Sequence, residues 1–255
     1  MDDYLKYDLH THTKFSDGRS PVRDMIIAAR ANGLKGIVLS DHVFSDGDAE
    51  KLLAGYTTSV DRASSPVKII FGCETAAKDL SGMPCARAEL LRKFELVLMD
   101  FNYILFSGMG KNGESAETLR DQLCDAVFKA ASVPEVKILA HPFNFGIAPL
   151  NLSLKLFDNA RIGKIAEECV RQGKIIEIMN QMHYWHSGTP FEEFHAEYCR
   201  ILSVFKEAGA RFSLGSDAHS CCGIGCLNWS ARVVRELGLQ TRLYLPVAFR
   251  EQSNR

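Results

Sequence analysis

The chain has no long hydrophobic run, no surplus of one charge and no paired-cysteine pattern, and each absence removes a class of function. No apolar stretch approaches the ~20 residues that span a bilayer, and the N-terminal Met1-Asp2-Asp3 is acidic rather than signal-like. A membrane partner is therefore not expected. Lys and Arg number 30 against 31 Asp and Glu, a net charge of -1. That balance lacks the electrostatic footprint of a nucleic-acid or anionic-membrane binder, although it permits a local basic pocket. The eight cysteines are scattered, apart from Cys221, Cys222 and Cys226, and no second pair at ligand spacing completes a four-ligand zinc site. Packed or spare loop thiols are the simpler reading of that trio. Without a signal segment the thiols are read as reduced, in a cytoplasmic protein. Internal repeats, low-complexity tracts and Pro/Ser-rich linkers are also missing. The 255 residues, 46% of them hydrophobic, are accordingly expected to form one domain, residues 1–255. Neither a phosphate-binding Gly-Lys loop nor a Gly-x-Ser-x-Gly elbow occurs, so nucleotide-driven and serine-nucleophile chemistries lack support.

What the chain does have is alternation. Short apolar runs of buried-strand type are expected at Tyr4–His10, Gly36–Ser40, Val67–Gly72, Tyr103–Phe106, Val136–Ala140, Lys174–Met179 and Arg211–Gly215. Helical segments are expected between them, after Ser20-Pro21, over Arg87–Phe94, Ala116–Ala131, Ile162–Gln172 and Glu192–Ala208. Phe44–Ala63 is expected to be loop with a short helix, and the tail to hold a helix over Ser230–Leu237 and an extended Leu243–Phe249. Strand–helix alternation throughout argues for parallel βα units, and about seven of them can close a barrel. The fold class is thus α/β, a seven-stranded (β/α) TIM-like barrel, with function at the C-terminal ends of the strands.

The reactive residues lie there. His10 and His12 leave the first strand two residues apart, a spacing that points both imidazoles to one side. Asp17 follows in a Ser-Asp-Gly turn able to fold back over the strand end. His42, Glu74, His141, Asp217 and His219 sit at or just past later strand ends. Each alone has an ordinary explanation as a loop, cap or turn residue. Five histidines and three carboxylates on one rim are costly to desolvate together unless cations compensate them. The set is nitrogen and oxygen without thiolate, which suits zinc, manganese or iron.

The order His-x-His-x4-Asp, Ser-Asp-His, Gly-x-Glu, Ala-His-Pro and Gly-Ser-Asp-Ala-His resembles the PHP family (polymerase and histidinol phosphatase domain), from Asp8 to His219. The resemblance implies a distorted seven-stranded barrel with two or three divalent metals at its rim. It implies His10, His12, Glu74 and Asp217 around one metal and Asp17, His42 and His219 around a second. Glu74, bridging, and His141 belong to a third. In the family a histidine often follows the fourth strand in a Ser-x-His context. Here Ser107-Gly108-Met109 puts Met109 in that place, and a thioether is a poor ligand for such ions. The third site is left short of a ligand, whereas two suffice for the chemistry.

Two cations roughly 3.5–4 Å apart can share a bridging water, lower its pKa and clamp an in-line displacement at phosphorus. The expected function is therefore metal-dependent hydrolysis of a small phosphorylated metabolite through a metal-bridging hydroxide. A histidinol-phosphate-phosphatase-like activity is one named possibility that the resemblance implies. Asp217 and His219 are the candidates for acid–base roles. Lys14, Arg19, Asn180, His183 and His186 are candidate substrate contacts, set against ordinary surface roles; Tyr184, Trp185 and Phe191 are candidates for an apolar wall. Two rival classes stand beside this one. A metal-dependent nuclease would use the same ligands, against the near-neutral charge. A metal-binding module without catalysis is motivated by Met109.

Overall fold

The computed structural model describes residues 3–106, 113–146 and 151–250. Its strands are β1 (Tyr7–Thr11), β2 (Gly36–Leu39), β3 (His42–Val43), β4 (Lys68–Ala76), β5 (Leu96–Asp100), β6 (Ile138–Leu139), β7 (Ile175–Met179) and β8 (Arg211–Gly215). Neighbouring strands pair in parallel in the order β1-β2-β4-β5-β6-β7-β8, with β3 also on β4. β2 and β3 occupy one strand position, interrupted at Ser40-Asp41, because both pair along the same β4. Seven strand positions therefore run round a nearly closed (β/α) barrel. At the seam, β1 and β8 meet through their extensions: Asp217 N donates to His10 O at 3.0 Å and His12 N to Ala218 O at 2.9 Å.

Helices α1 (Val22–Ala31), α2 (Asp46–Ser59), α3 (Ala88–Leu91), α4 (Asn102–Phe106), α5 (Ala116–Ala130), α6 (Asn159–Arg171), α7 (Phe191–Glu207), α8 (Asn228–Leu237) and α9 (Val247–Arg250) connect and follow the strands. α5 shows the local logic. Ser115 caps it by accepting from Thr118 N, and Leu119, Leu123, Val127 and Ala130 are buried at helical spacing. Where helices and barrel meet, these faces pack into one large apolar cluster. A second cluster fills the barrel interior with Tyr7, Leu9, Val38, Ile70, Leu98 and Ile138. Phe249 of α9 joins it, stacked on Tyr7 at 5.1 Å between ring centroids.

Several expected elements differ. Tyr103–Phe106 is not the fourth strand: it lies in α4, whose start is held by Asp100, with both carboxylate oxygens 3.0 Å from Asn102 N. The fourth strand position is β5, and the preceding helix is shortened to α3. Phe44–Ala63 is mostly the 14-residue α2, which buries only Ala49, Leu52 and Tyr56. That sparse apolar face is why the periodicity was faint. β1 starts at Tyr7 because Asp3–Lys6 forms a 3-10 turn. The tail is extended only near Leu243, which bridges to Phe212. Met109 lies outside the described residues.

Candidate metal centre

β1 carries the first irregularity that matters. Its register with β2 slips between Asp8 and Thr11, so three residues of β1 span two of β2. Such a bulge re-aims side chains beside active sites. Leu9 packs in the barrel interior, yet its successor His10 also faces the interior rim, which strict alternation forbids. His12, two residues on, follows His10 to the same point: their Nε2 atoms are 2.9 Å apart.

Glu74 lies inside β4 and is buried. Its Oε2 is 3.3 Å from His10 Nε2, 3.5 Å from His12 Nε2 and 3.0 Å from His42 Nδ1. Its Oε1 is 3.1 Å from His141 Nε2. Asp217 Oδ1 is 3.1 Å from His12 Nε2 and 3.5 Å from His10 Nε2. The Asp217 backbone has φ 55° and that of His141 φ 29°. These left-handed conformations are uncommon away from glycine and mark a local cost that the surrounding hydrogen bonds sustain.

A second group is Asp17, His42 and His219, with His12 beside it. Asp17 Oδ2 lies 3.1 Å from His219 Nε2 and 3.6 Å from His42 Nε2. Buried Asp41 organises the loop that presents Asp17. It accepts from Thr13 N (2.7 Å), Thr13 Oγ1 (2.8 Å), Ser16 Oγ (2.6 Å) and Tyr56 OH (2.6 Å). Gly18 completes the turn where a Cβ would stand 2.7 Å from the His12 carbonyl group.

A third group, Glu74, Asp100 and His141, draws in a residue that the sequence reading did not single out. Asp100 Oδ1 is 3.5 Å from His141 Nδ1. With β5 in the fourth strand position, the strand-end ligand type there is Asp100. The strand end thus brings a carboxylate beside Glu74 and His141.

These groups fit divalent cations by a test internal to the structure. His12 Nδ1, His42 Nδ1 and Glu74 Oε1 are buried without a hydrogen-bond partner. Close approach without hydrogen-bond alignment suits ligands that share an ion, and orphaned buried polar atoms are otherwise costly. Electrostatics point the same way. Burial depresses the imidazoles and keeps His12 below its ordinary value, but at others the carboxylates outweigh it: Glu74 and Asp100 carry His141 up to about 9, and Glu74 with Asp17 carries His42 up to about 11. Asp217 is held down at about 2 by His10 and His12 against the opposing effect of burial. The all-nitrogen-and-oxygen donor set suits zinc, manganese or iron.

Of the expected substrate contacts, none lines the pocket over this centre. Lys14 is exposed outside it. Asn180 Oδ1 accepts from Trp229 N and Ser230 N and holds the start of α8. His183 Nε2 pairs with Thr189 O at 2.9 Å. Of the three candidate wall aromatics, Trp185 lines the pocket, about 480 Å³, and Tyr184 and Phe191 do not; Lys51 and Asn102 also line it beside the ligand groups. Cys221, Cys222 and Cys226 are free thiols.

His186 donates from Nε2 to Phe143 O at 3.0 Å, and burial pushes it down to about 4. The unfolded chain takes up a proton below its ordinary value of 6.5, whereas the folded chain resists until about 4. Stability should therefore fall as pH drops through that window, by at most about 3 kcal/mol, and level off below it. Melting temperature followed from about pH 7 to 4 should show this acid limb, flatter in His186→Gln.

Asp100→Ala is expected to lower the metal-to-protein ratio by one equivalent and leave the other two groups loaded. Elemental analysis of the reconstituted variant tests this. An unchanged ratio would remove Asp100 from the centre.

A barrel rim that gathers histidines and carboxylates around water-accessible space defines a metal-dependent hydrolase site. The chain belongs to the PHP domain family, whose model matches residues 8–136. It is 27% identical over 240 residues to a "probable phosphatase" of Acetivibrio thermocellus, covering 93% of this chain and 89% of the relative. A "probable phosphatase" of Serratia proteamaculans is 26% identical, covering 90% and 85%. The fold also resembles the histidinol phosphate phosphatase of Lactococcus lactis, solved with zinc, L-histidinol and phosphate, at a TM-score of 0.64. That similarity covers 92% of this chain and 94% of the other at 15% identity.

Proposed function

We infer that this chain hydrolyses a small phosphorylated metabolite, acting as one domain, and that a histidinol-phosphate-like monoester is the first substrate to test. The observation that carries the reading is Glu74, whose two buried oxygens face different ligand groups. His10, His12, Glu74 and Asp217 would hold one divalent cation, Asp17, His42 and His219 a second, and Glu74, Asp100 and His141 a third. Such ions, when bound, supply Lewis acidity toward phosphoryl oxygens and lower the pKa of water. Asp217 turns Oδ1 to His10, His12 and His219, which leaves Oδ2 to accept a proton. His219, with a 39% exposed side chain, is the ligand-type imidazole turned furthest toward solvent among those three partners. These two are the catalytic assignments. Lys51, at the pocket wall, is the cation assigned to the substrate phosphate.

The test pairs elemental analysis with p-nitrophenyl phosphate turnover before and after metal removal. Two or three equivalents per chain, with turnover abolished by chelator and restored by zinc, manganese or iron, is the expected result. No bound metal after reconstitution would sink the reading. Metal without turnover on a panel of phosphomonoesters would favour a binding module instead.

A further inference from the structure

Away from the barrel rim, one further group of metal-ligating side chains stands among the described residues: His195, Cys199 and Glu236, whose donor atoms lie within 4.8 Å of one another. None of the three lines the pocket over the rim. His195 and Cys199 are at i and i+4 in α7 and so share one face of that helix. Glu236 belongs to α8, which packs against α7. The imidazole is held from both sides: Trp229 Nε1 donates to His195 Nδ1 at 3.2 Å, and His195 Nε2 donates to Glu236 Oε2 at 2.7 Å. Cys199 Sγ lies 3.8 Å from the same Nε2. A nitrogen and a sulfur on one tetrahedral zinc stand about 3.6 Å apart, so the thiol is already near ligand spacing. The nitrogen–oxygen pair has to open by about 0.6 Å.

Charge suits a divalent ion. Thiolate and carboxylate together carry two negative charges, and a neutral imidazole adds none. Arg232 already occupies the other carboxylate oxygen, donating from Nε to Glu236 Oε1 at 2.7 Å, which leaves Oε2 for an ion. Burial and the nearby Glu236 push the Cys199 thiol up to about 11, so it is protonated at neutral pH. An ion that binds sulfur releases that proton to solvent. At Nε2 it also displaces the imidazole proton, which is regained at Nδ1 and ends the hydrogen bond from Trp229.

We propose that His195, Cys199 and Glu236 hold one divalent ion of the zinc class, with water as the fourth ligand, and that this ion clips α7 to α8. The mixed nitrogen, sulfur and oxygen set separates it from the rim, whose donors are nitrogen and oxygen alone. Sulfur selects zinc over manganese or magnesium. The clip joins two helices on the outside of the barrel, so its effect is on stability, and it stands whether or not the rim hydrolyses phosphoesters.

Cobalt(II) reads this site without turnover, because a sulfur-to-cobalt charge-transfer band in the near ultraviolet requires a thiolate ligand and the rim offers none. Titrating cobalt into the metal-free full chain should develop that band. Cys199→Ser should abolish it, and His195→Ala and Glu236→Gln should each raise the cobalt concentration at half-saturation by at least about tenfold, the lower end of what losing even an outer-shell partner costs. Cys222→Ser combined with Cys226→Ser should leave the band in place. Zinc should raise the melting temperature more in the native chain than in Cys199→Ser, and equal melting of the two without metal shows that the variant folds. Absence of the band in the native chain, a band that survives Cys199→Ser, or one lost with Cys222 and Cys226 would each overturn the proposal. So would an equal zinc-induced shift in the native chain and in Cys199→Ser.

Discussion

Asp217→Asn is expected to remove at least one equivalent of metal and to lower phosphomonoester turnover by about 10²–10³-fold, the scale seen when one group stabilising transition-state charge is lost. Three imidazoles converge on its Oδ1: His12 Nε2 at 3.1 Å, His10 Nε2 at 3.5 Å and His219 Nδ1 at 3.6 Å. Asparagine keeps the shape and tolerates the left-handed backbone at φ 55°, so this variant isolates the charge. Asp217→Ala adds a backbone cost of about 1 kcal/mol, because alanine has no side chain to hydrogen-bond locally in that conformation. The alanine variant should therefore melt lower than the asparagine variant while matching its metal loss. Elemental analysis, initial rates and thermal unfolding on the two proteins separate these effects. Full metal content and full rate in Asp217→Asn would place the chemistry elsewhere.

How this centre could be foreseen depends on where each residue sits. His10, His12, His42, His141, Asp217 and His219 follow apolar runs directly, so a strand-end rule finds them. Asp17 needs only the turn chemistry of Ser16-Asp17-Gly18. Asp100 ends an apolar run too, Leu96-Val97-Leu98-Met99, but aromatic Tyr103 and β-branched Ile104 in the next segment drew the strand assignment to themselves. The deciding interaction is the Asp100 cap on Asn102 N, which makes that segment a helix despite its β propensity. The barrel itself was visible as alternation, since strand and helix periods differ. The bulge in β1 was not: it reflects tertiary pairing with β2, and the adjacent Leu9 and His10 facing one interior have no local signature. The contacts expected of Asn180 and His183 relied on their lying after a strand. That position alone does not decide whether a side chain faces the rim or caps the next helix.

Glu177 was hidden for a related reason, being one carboxylate within the apolar run Ile175–Met179. Its substitution should have the next largest effect. Glu177 is buried in β7, and its Oε1 accepts from His10 Nδ1 at 2.8 Å while its Oε2 accepts from His141 N at 3.0 Å. The first bond keeps the proton on Nδ1 and directs Nε2 of His10, as the lone-pair side, toward His12, Glu74 and Asp217. The second anchors the strand end that presents His141. Gly215 on the neighbouring β8 makes the space: a Cβ there would lie 2.1 Å from Glu177 Oε1 and 2.5 Å from His10 Cβ. Glu177→Ala is expected to weaken metal binding about 10–100-fold and to destabilise the fold, since His141 N is left buried without an acceptor. Glu177→Gln retains an acceptor for His10 and should recover part of that affinity. Competition against a chromophoric chelator reads the affinities independently of turnover. A purely structural role would lower melting temperature in both variants while leaving the affinity of the folded protein for metal unchanged. An orienting role requires the order native, then Glu177→Gln, then Glu177→Ala.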